Sequence, residues 1–568
     1  MSKKVFYDED ARRRVLGGAK ILYDAVKSTM GPKGRNVVIG KSYGNPTVTH
    51  DGVAVAKGVE LDDKDDETLG YKVGAELIKE AASKMNDVAG DGTTTVTILT
   101  YQILNEANKL IAAGHNPMQL RKGLEAAAAD ALAKLADMSE SIGGKKERVA
   151  EVATISAGDA EIGQLIADVM DKVGKDGVVT VEEGQGLALE SEVVEGFTMD
   201  RGYVSPYMVT DTSRMEAVYE KPAILITDQK IASVQEFLPM LEKLAAAGKK
   251  DLVLIAEEVE GEALGTLVLN KLKGVFNTVA VKAPAFGDRR KEILEDIAIL
   301  TGGEVISEEA GATFENADVA VVGSARKVIV TKDESTIIEG GGSAAAVKAR
   351  IEQINKQIAA ASSEYDREQL EKRRAALSGK VAVIKVGGAT ETEIEEKKFR
   401  VDDAVASVKA ALEDGVVPGG GVTLINLAET IRTEGIEDIR KTGKRNPKSE
   451  LGKLDPGPDG WTLGNGANLL LMALEQPFRT LLENSGLNPD EWLPKVKSKK
   501  GFGIDVNNPG QLTSMKEAGI VDPARVIKEA IQNAVSIAGT AMTMGALVAE
   551  VPEKPPTPMP SPDMGGMM

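Results

Sequence analysis

The sequence predicts a multidomain protein of the α and α/β classes, with an α/β middle third inserted between two helical ends. Its 568 residues suffice for three or four domains, since one domain commonly spans about 150 residues. Apolar residues recur with helical spacing near both ends of the chain. Between about residues 196 and 379, short apolar runs typical of strands alternate with helical segments. The shared helical texture of the two ends indicates that they fold together.

The N-terminal part is predicted to be mainly helical. An apolar stripe runs over residues 10–30, and Gly31 and Pro32 end that helix because neither residue continues one well. The alternating runs 36–39 and 47–49 predict a hairpin. Further helices are predicted over 72–88, 93–113 and 118–138.

Beyond residue 144 the pattern changes to strands. Strands are predicted at 177–181, 192–194, 223–226, 252–255, 279–281, 328–330 and 381–386. Residues 344–378 predict an antiparallel helix pair, and further helices are expected over 398–413 and 465–484. The last 17 residues contain six prolines, so we expect a disordered tail from about residue 552.

Composition excludes several classes of function. Lys and Arg number 69 against 87 Asp and Glu, and the net charge of −18 argues against nucleic acid or an anionic membrane as the partner. Without cysteine there are no disulfides, thiol nucleophiles or zinc ribbons. Two histidines, His50 and His115, leave little scope for a histidine metal site or a Ser-His-Asp triad. No apolar run approaches a membrane span and no signal core is present, so we expect a cytoplasmic protein.

The sharpest local motif is AGDGTTT at residues 89–95, at a predicted helix start. Its small residues allow close approach of a phosphate, which the backbone N–H groups and the helix N-terminus stabilise. Asp91 can then ligate Mg²⁺ and the threonine hydroxyls can donate hydrogen bonds. The same residues also fit an ordinary Asp/Thr N-cap, and the motif alone does not separate the two interpretations.

There are two other glycine loops. The loop at 30–35 can simply end a helix and the loop at 415–422 can connect two helices, or both can lie against a nucleotide whose phosphate the 89–95 motif binds. Asp51, Asp403 and Asp522 are isolated carboxylates whose simplest interpretation is a surface or capping position. Neither a GxxxxGK[ST] nor a GxGxxG pattern occurs, so an ATPase of this sequence is not of the P-loop type.

Six segments together resemble the group I, GroEL-type chaperonins. They are TMGPKGRNVV (29–38), AGDGTTTVT (89–97), RGYVSPYM (201–208), APAFGDRRKEILEDIAILTGG (283–303), SEYDREQLEKR (363–373) and GVVPGGGVTLI (415–425). The resemblance runs in order from about residue 5 to 550. It implies a GroEL-like protomer that folds non-native polypeptides with ATP, under a co-chaperonin (GroES-type) lid, in stacked seven-membered rings.

The resemblance also implies a division into three domains. A mainly helical equatorial ATP-binding domain is expected at 1–138 and 414–568, and a small α/β intermediate hinge domain at 139–194 and 382–413. An α/β apical domain that binds substrate and lid is expected at 195–381. The long polar segment 434–462 is either a surface loop or an element near the ring–ring surface.

Site residues follow from the resemblance position by position. Asp403 is expected to orient the attacking water with help from Asp51, while Asp91 ligates Mg²⁺ and K⁺ binds nearby. The expected nucleotide contacts are Thr29, Met30, Gly31, Pro32, Asp91, Gly92, Thr93, Thr94, Thr95, Gly420, Asp505 and Asp522. A metal that neutralises phosphate charge beside a carboxylate that positions water suits phosphoryl transfer without a covalent intermediate.

Two amphipathic stretches, 234–244 and 262–269, are typical of helices that face a core. The resemblance instead assigns their apolar residues to an exposed groove for non-native chains and the lid. The substrate- and lid-binding residues expected in this groove are Leu238, Leu241, Leu264, Val268 and Leu269, and Tyr203, Tyr207 and Met208 are expected in the neighbouring segment. An exposed apolar patch binds any chain with exposed apolar surface. Lys380 and Ser141 stand where the family often has Gly and Pro at hinges, so a holdase or scaffold without a productive ATP cycle is the alternative.

Overall fold

A computed structural model describes most of the chain. The described residues are 3–40, 46–63, 65–174, 177–184, 186–212, 214–307, 309, 311–361, 363–433, 449–454 and 460–551. Most of the 434–462 segment and the whole tail from 552 therefore lie outside the described residues. No helix in the described ranges is long and apolar enough to cross a membrane.

The described part of the chain contains helices and short strands. The helices are α1 (Asp8–Val26), α2 (Gly52–Gly58), α3 (Tyr71–Ala89), α4 (Thr93–Ala112), α5 (Pro117–Met138), α6 (Lys146–Ala157), α7 (Ala160–Val173), α8 (Val234–Ala246), α9 (Gly261–Leu272), α10 (Asp288–Thr301), α11 (Ala344–Ala360), α12 (Glu364–Leu377), α13 (Glu391–Asp414), α14 (Val422–Ile431), α15 (Glu450–Lys453), α16 (Gly460–Leu474), α17 (Gln476–Asn484), α18 (Pro489–Ser498) and α19 (Ala524–Met542). The strands are β1 (Lys3–Tyr7), β2 (Val37–Ile39), β3 (Thr47–Thr49), β4 (Val178–Glu183), β5 (Glu190–Met199), β6 (Ala217–Glu220), β7 (Ala223–Thr227), β8 (Lys230–Ile231), β9 (Asp251–Ala256), β10 (Glu258–Val259), β11 (Asn277–Lys282), β12 (Val305–Ile306), β13 (Gly323–Val330), β14 (Ser335–Gly340), β15 (Lys380–Val386), β16 (Val416–Pro418), β17 (Phe502–Gly503), β18 (Thr513–Ser514), β19 (Val521–Pro523) and β20 (Ala546–Glu550).

The chain forms two compact units. Unit 1 comprises residues 1–168, 183–188 and 386–568, and unit 2 comprises residues 169–182 and 189–385. Both chain ends belong to unit 1, where β1 and β20 pair antiparallel in a two-stranded sheet. Their pairing agrees with the prediction that the two helical ends fold together.

Unit 1 is built from helices that pack closely. Its core is dominated by Ala, Leu, Ile and Val, as the low aromatic content predicts. Helices α1 and α3 approach each other at two glycines: a Cβ on Gly18 would lie 1.7 Å from the carbonyl oxygen of Tyr71, and one on Gly74 would lie 1.9 Å from that of Val15. Only residues without a side chain permit this contact.

Unit 2 contains a ten-stranded mixed sheet with the order β11-β9-β7-β13-β14-β5-β15-β4, in which β12 also pairs with β7 and β6 with β13. Strands β7, β9, β11 and β12 run parallel, and the pairs from β7–β13 to β5–β15 are antiparallel. The predicted strands at 223–226, 252–255, 279–281 and 328–330 are confirmed as β7, β9, β11 and part of β13. The α and α/β fold class is therefore confirmed.

Two predicted helices differ in extent from the observed ones. The helix expected over 465–484 is divided into α16 and α17, because Pro477 lacks an N–H and occupies the first turn of α17. Helix α13 begins at Glu391 and not near 398, since Thr390 caps it by accepting the N–H of Glu393 at 3.2 Å. Its first turn is polar, so apolar spacing does not reveal it.

Candidate nucleotide-binding site

The Asp91 loop has a backbone that depends on glycine. Gly90 (φ 67°) and Gly92 (φ 80°) adopt left-handed conformations on either side of Asp91, where α3 ends and α4 begins. A Cβ on Gly90 would lie 2.2 Å from the Cβ of Ala406 in α13. The loop is thus pressed against α13, and Asp91 is presented at the N-terminus of a 20-residue helix, where negative charge is stabilised.

Three hydrogen bonds orient the Asp91 carboxylate. Its Oδ1 accepts the N–H of Gly92 at 2.5 Å. Its Oδ2 accepts the hydroxyls of Ser156 in α6 at 2.9 Å and of Ser407 in α13 at 2.7 Å. These two serines are absent from the sequence-based site, because no local pattern marks a hydroxyl that contacts a carboxylate 65 or 316 positions away.

Asp51 caps α2 beside the start of α4. Its Oδ1 accepts the N–H of Val53 at 3.0 Å and its Oδ2 that of Ala54 at 2.9 Å. A Cβ on Gly52 would lie 2.5 Å from the Thr94 hydroxyl and 2.8 Å from that of Thr93, so the two helix starts are in direct contact. Thr93 is buried, whereas Thr94 and Thr95 are half-buried in the first turn of α4.

The segment before the first glycine loop joins the same place. The hydroxyl of Thr29 lies 3.0 Å from that of Thr94 and donates to the carbonyl of Val26 at 2.9 Å. Asn484 donates to the carbonyl of Met30 at 3.0 Å and thereby attaches the segment to the end of α17. Gly31 has φ 82°, and a Cβ there would lie 3.0 Å from Leu481. Pro32 follows in the turn and is exposed.

Asp403, in the middle of α13, carries a carboxyl in an electrostatically unfavourable position. Burial, and then the charges of Asp51, Asp91 and Asp402, raise its pKa well above the ordinary value. Its carboxyl makes no hydrogen bond or ion pair within the part of the chain that the structure describes. Burial also raises the pKa of Asp51, and Asp91 adds to that shift. These three carboxyls therefore lie within electrostatic range of one another.

Asp522 approaches the group from the third glycine loop. Strands β16 and β19 pair antiparallel, with Val417 opposite Asp522. A Cβ on Gly419 would lie 2.9 Å from an Asp522 carboxyl oxygen, and Gly420 has φ 65°. Burial, with a contribution from Asp91, raises the pKa of Asp522 to about 7. The Asp522 carboxyl, next to the loop at Gly420, thus lies within electrostatic range of Asp91.

Asp505 stands apart from this group. Its Oδ1 accepts the N–H of Asn507 at 2.9 Å, so its carboxylate caps its own turn. Its neighbours Ile504 and Val506 pack in an apolar cluster that Met30 also contacts. In the described parts of the chain, no contact links its carboxylate to the other aspartates.

The residues present suit Mg²⁺ bound together with a phosphate. No group of three His, Cys, Asp or Glu side chains among the described residues could hold a metal by itself. Mg²⁺ commonly binds through one or two carboxylates while phosphate oxygens and water complete its coordination. Asp91 supplies a hard oxygen ligand at a helix start, where a phosphate is also stabilised. The geometry therefore fits a metal–nucleotide complex better than a permanent metal centre.

Comparison with known proteins identifies the family. The profile of the TCP-1/cpn60 chaperonin family matches residues 22–552. The chain belongs to this family. Among solved structures, the chaperonin gp146 from bacteriophage EL 2 (Pseudomonas aeruginosa), crystallised in the presence of ATP-BeFx, matches with a TM-score of 0.65 and 22% identity. The match covers 97% of this chain and 99% of the phage chain, so both have the chaperonin fold.

Unit 2 of this chaperonin exposes only part of the predicted apolar groove. Tyr207, Leu238 and Leu269 are exposed, at 70%, 43% and 50%. Leu264 and Val268 of α9 are half-buried against the core of unit 2. These five residues lie on α8, α9 and the turn at 206–208.

Tyr203, Met208 and Leu241 are buried, and the expectation that they are exposed is wrong for this structure. Met208 packs in the apolar core of unit 2, where its sulfur accepts the N–H of Ala280 at 3.2 Å. Tyr203 forms a β-bridge with Val281, and Leu241 lies on the inward face of α8. A periodic apolar stripe does not reveal which of its members face inwards.

Two features of this surface were not predicted. Leu272 is 68% exposed and continues the spacing of Leu264 and Val268 along α9, a signal that the sequence contains. Lys271 donates to the carbonyl of Val209 at 2.7 Å and also to that of Met208. It thereby attaches the 206–208 turn to α9, and burial lowers its pKa to about 8.

Proposed function

We propose that this chaperonin is a group I-type, ATP-hydrolysing chaperone that binds non-native polypeptides and encapsulates them under a co-chaperonin lid. The observation that carries the proposal is the grouping of Asp51 and Asp91, at the adjoining starts of α2 and α4, with Asp403 from the middle of α13. Ionising carboxyls that lie close together is costly because their charges repel one another, and Asp403 has no described partner that offsets this repulsion. Such arrangements cluster at functional sites.

Each carboxyl has a distinct proposed role in hydrolysis. Asp403 accepts a hydrogen bond from the attacking water, because it is the carboxyl without another described partner. Asp51 assists Asp403, and the Asp51 carboxylate also caps α2. Asp91 ligates Mg²⁺, which when bound neutralises charge on the phosphate oxygens. The backbone of Gly92 to Thr95 and the Thr29–Pro32 segment hold the phosphates.

The remaining contacts bind the other end of the nucleotide. Gly420 and Asp522 hold the ribose and adenine side, next to the β16–β19 pair. We assign Asp505 to this end of the nucleotide from its position in the sequence alone. The described contact of its carboxylate lies within its own turn. K⁺ binding near the phosphates is also part of the proposal.

Client proteins and lid bind to the exposed apolar side chains of unit 2. Tyr207, Leu238 and Leu269 are large and exposed. Tyr207 and Leu238 lie on elements that contact α9, which carries Leu269 and the half-buried Leu264 and Val268. Burying exposed apolar area is favourable for any partner, so the proposed surface has low sequence specificity. The proposal includes equatorial, intermediate and apical domains with the boundaries given above, stacked seven-membered rings and a cytoplasmic location.

Replacing Asp403 tests the proposal directly. Asp403→Ala is expected to reduce ATP hydrolysis at least about a hundredfold while ATP binding persists, because the water loses its orienting carboxyl and the phosphate contacts remain. Asp402→Ala, one position earlier on α13, is the matched control and is expected to hydrolyse ATP within about threefold of wild type. Normal hydrolysis by Asp403→Ala would show that the catalytic assignment is wrong.

The alternative, a holdase without a productive cycle, is favoured by the position of Lys380. This residue lies in the ladder opposite Glu195, where β15 pairs with β5, and not at a glycine hinge. Refolding of a denatured client distinguishes the two functions. Active client released with ATP and lid supports the chaperone cycle, whereas client that stays bound supports the holdase.

A further inference from the structure

Ser407 contributes a fully buried hydroxyl to the Asp91 site. It is 0% exposed, and its Oγ donates to Asp91 Oδ2 at 2.7 Å while lying 3.1 Å from Ser156 Oγ. Ser156 donates to the same oxygen at 2.9 Å. Since each serine has one hydroxyl proton, both can donate to Oδ2 simultaneously.

The two oxygens of the Asp91 carboxylate are consequently unequal. A carboxylate offers about four lone-pair positions, two on each oxygen. On Oδ2 both are taken by Ser156 and Ser407. On Oδ1 one is taken by the N–H of Gly92, and the other stays available to a ligand. The carboxylate can therefore bind a cation through Oδ1 alone without losing a hydrogen bond.

We propose that Ser407 is a positioning residue that holds Asp91 as a one-oxygen ligand for Mg²⁺. This inference rests on the proposed function. Asp403 lies four residues before Ser407 on α13, so the two share one face of the helix. One face of α13 thus carries both the proposed water-orienting carboxyl and the hydroxyl that fixes the proposed metal ligand, which sets their relative placement.

The test measures how much Mg²⁺ strengthens nucleotide binding, without turnover. The non-hydrolysable analogue AMP-PNP is titrated calorimetrically into the full-length protein, with excess Mg²⁺ and with EDTA, and the ratio of the two affinities is the readout. Loss of groups that orient a metal ligand commonly costs 10- to 100-fold in metal affinity. Ser407→Ala is expected to reduce the ratio about tenfold and to leave the affinity in EDTA unchanged.

Two further variants separate positioning from general packing. Ser407→Cys keeps the shape of the side chain with a slightly larger atom that donates weakly, so an intermediate ratio is expected. Ser335→Ala removes another buried hydroxyl, one that donates to the carbonyl of Arg201 at 2.6 Å, and is expected to leave the ratio unchanged. If Ser407 acts through Asp91, adding Ser407→Ala to Asp91→Asn lowers the ratio no further.

The possible failures are distinguishable. A wild-type protein that does not bind the analogue overturns both the proposed function and this inference. If Mg²⁺ strengthens binding of the analogue equally in wild type and in Ser407→Ala, this inference is overturned and the proposed function is not. An additive loss in the double variant also overturns it, because Ser407 would then act independently of Asp91.

Discussion

We expect Asp522 to make the nucleotide-free protein less stable as the pH rises, and Asp522→Asn to remove this effect. Burial raises the pKa of Asp522 from 3.8 to about 7. Below pH 3.8 the carboxyl is neutral in both the folded and the unfolded chain. Between pH 3.8 and about pH 7 the Asp522 carboxyl ionises in the unfolded chain but stays neutral in the folded chain. The free energy of unfolding therefore falls as the pH rises, until the carboxyl also ionises in the folded chain.

The size of the effect follows from the shift. A difference of about 3 pKa units at 1.36 kcal/mol each corresponds to at most about 4 kcal/mol. Asp522 keeps some solvent exposure, and hydration reduces the penalty, so we expect about 1–2 kcal/mol. Asp522→Asn should exceed wild type in stability by this amount at pH 8, by less at pH 5, and the difference should level off above about pH 7.

Urea unfolding followed by tryptophan fluorescence measures this difference. Both tryptophans, Trp461 and Trp492, belong to unit 1, as Asp522 does. Asp137→Asn, an exposed position on α5, is the control and should show no pH-dependent difference from wild type. A difference between Asp522→Asn and wild type that is constant from pH 5 to 8 would refute the argument, as would one that shrinks with rising pH.

Three other substitutions have defined outcomes. Gly52→Ala places a Cβ 2.5 Å from the Thr94 hydroxyl, so separating the helix starts should cost about 1–3 kcal/mol and at least roughly tenfold in ATP affinity by calorimetry. Leu269→Ser removes an exposed apolar side chain and should weaken suppression of client aggregation, with stability unchanged within about 0.5 kcal/mol. Arg373→Met removes one of the two arginines that pair with buried Asp296 and leaves Arg350, 2.6 Å away, so it should destabilise unit 2 by about 2 kcal/mol in circular-dichroism unfolding.

A defined result would contradict each of these expectations. Unchanged ATP affinity in Gly52→Ala would mean that the contact between α2 and α4 does not shape the site. Full aggregation suppression by Leu269→Ser would place client binding elsewhere. Leu267→Ser is the matched control for Leu269→Ser. Leu267 is buried on the same helix, so its replacement should lower the free energy of unfolding, which Leu269→Ser should not do. An Arg373→Met protein as stable as wild type would show that the ion pair does not stabilise unit 2.

Secondary structure was predictable where it depends on neighbours in sequence. The runs at 223–226 and 252–255 became β7 and β9 because buried parallel strands are apolar throughout. The first turn of α13 escaped prediction because it is polar and begins at a Thr390 cap. Pro477 is a signal in the sequence itself, and it divides the helix predicted over 465–484.

The site was less accessible to sequence reasoning. Spacing alone left Asp51, Asp403 and Asp522 as surface or capping residues, and the resemblance to chaperonins supplied their roles. Ser156 and Ser407 had no signal at all. Among the apical candidates, the sequence could not distinguish exposed Tyr207 from its buried neighbour Met208.

The sequence by itself determined the helices and strands, the glycine loops and the family. Such features depend on residue order and local backbone preference, which act over a few positions. Only the tertiary structure decided that the Asp91 charge raises the pKa of Asp51, Asp403 and Asp522 from distant segments and which apolar residues reach solvent. Electrostatic energy and burial depend on distance in space, and folding sets that distance independently of separation along the chain.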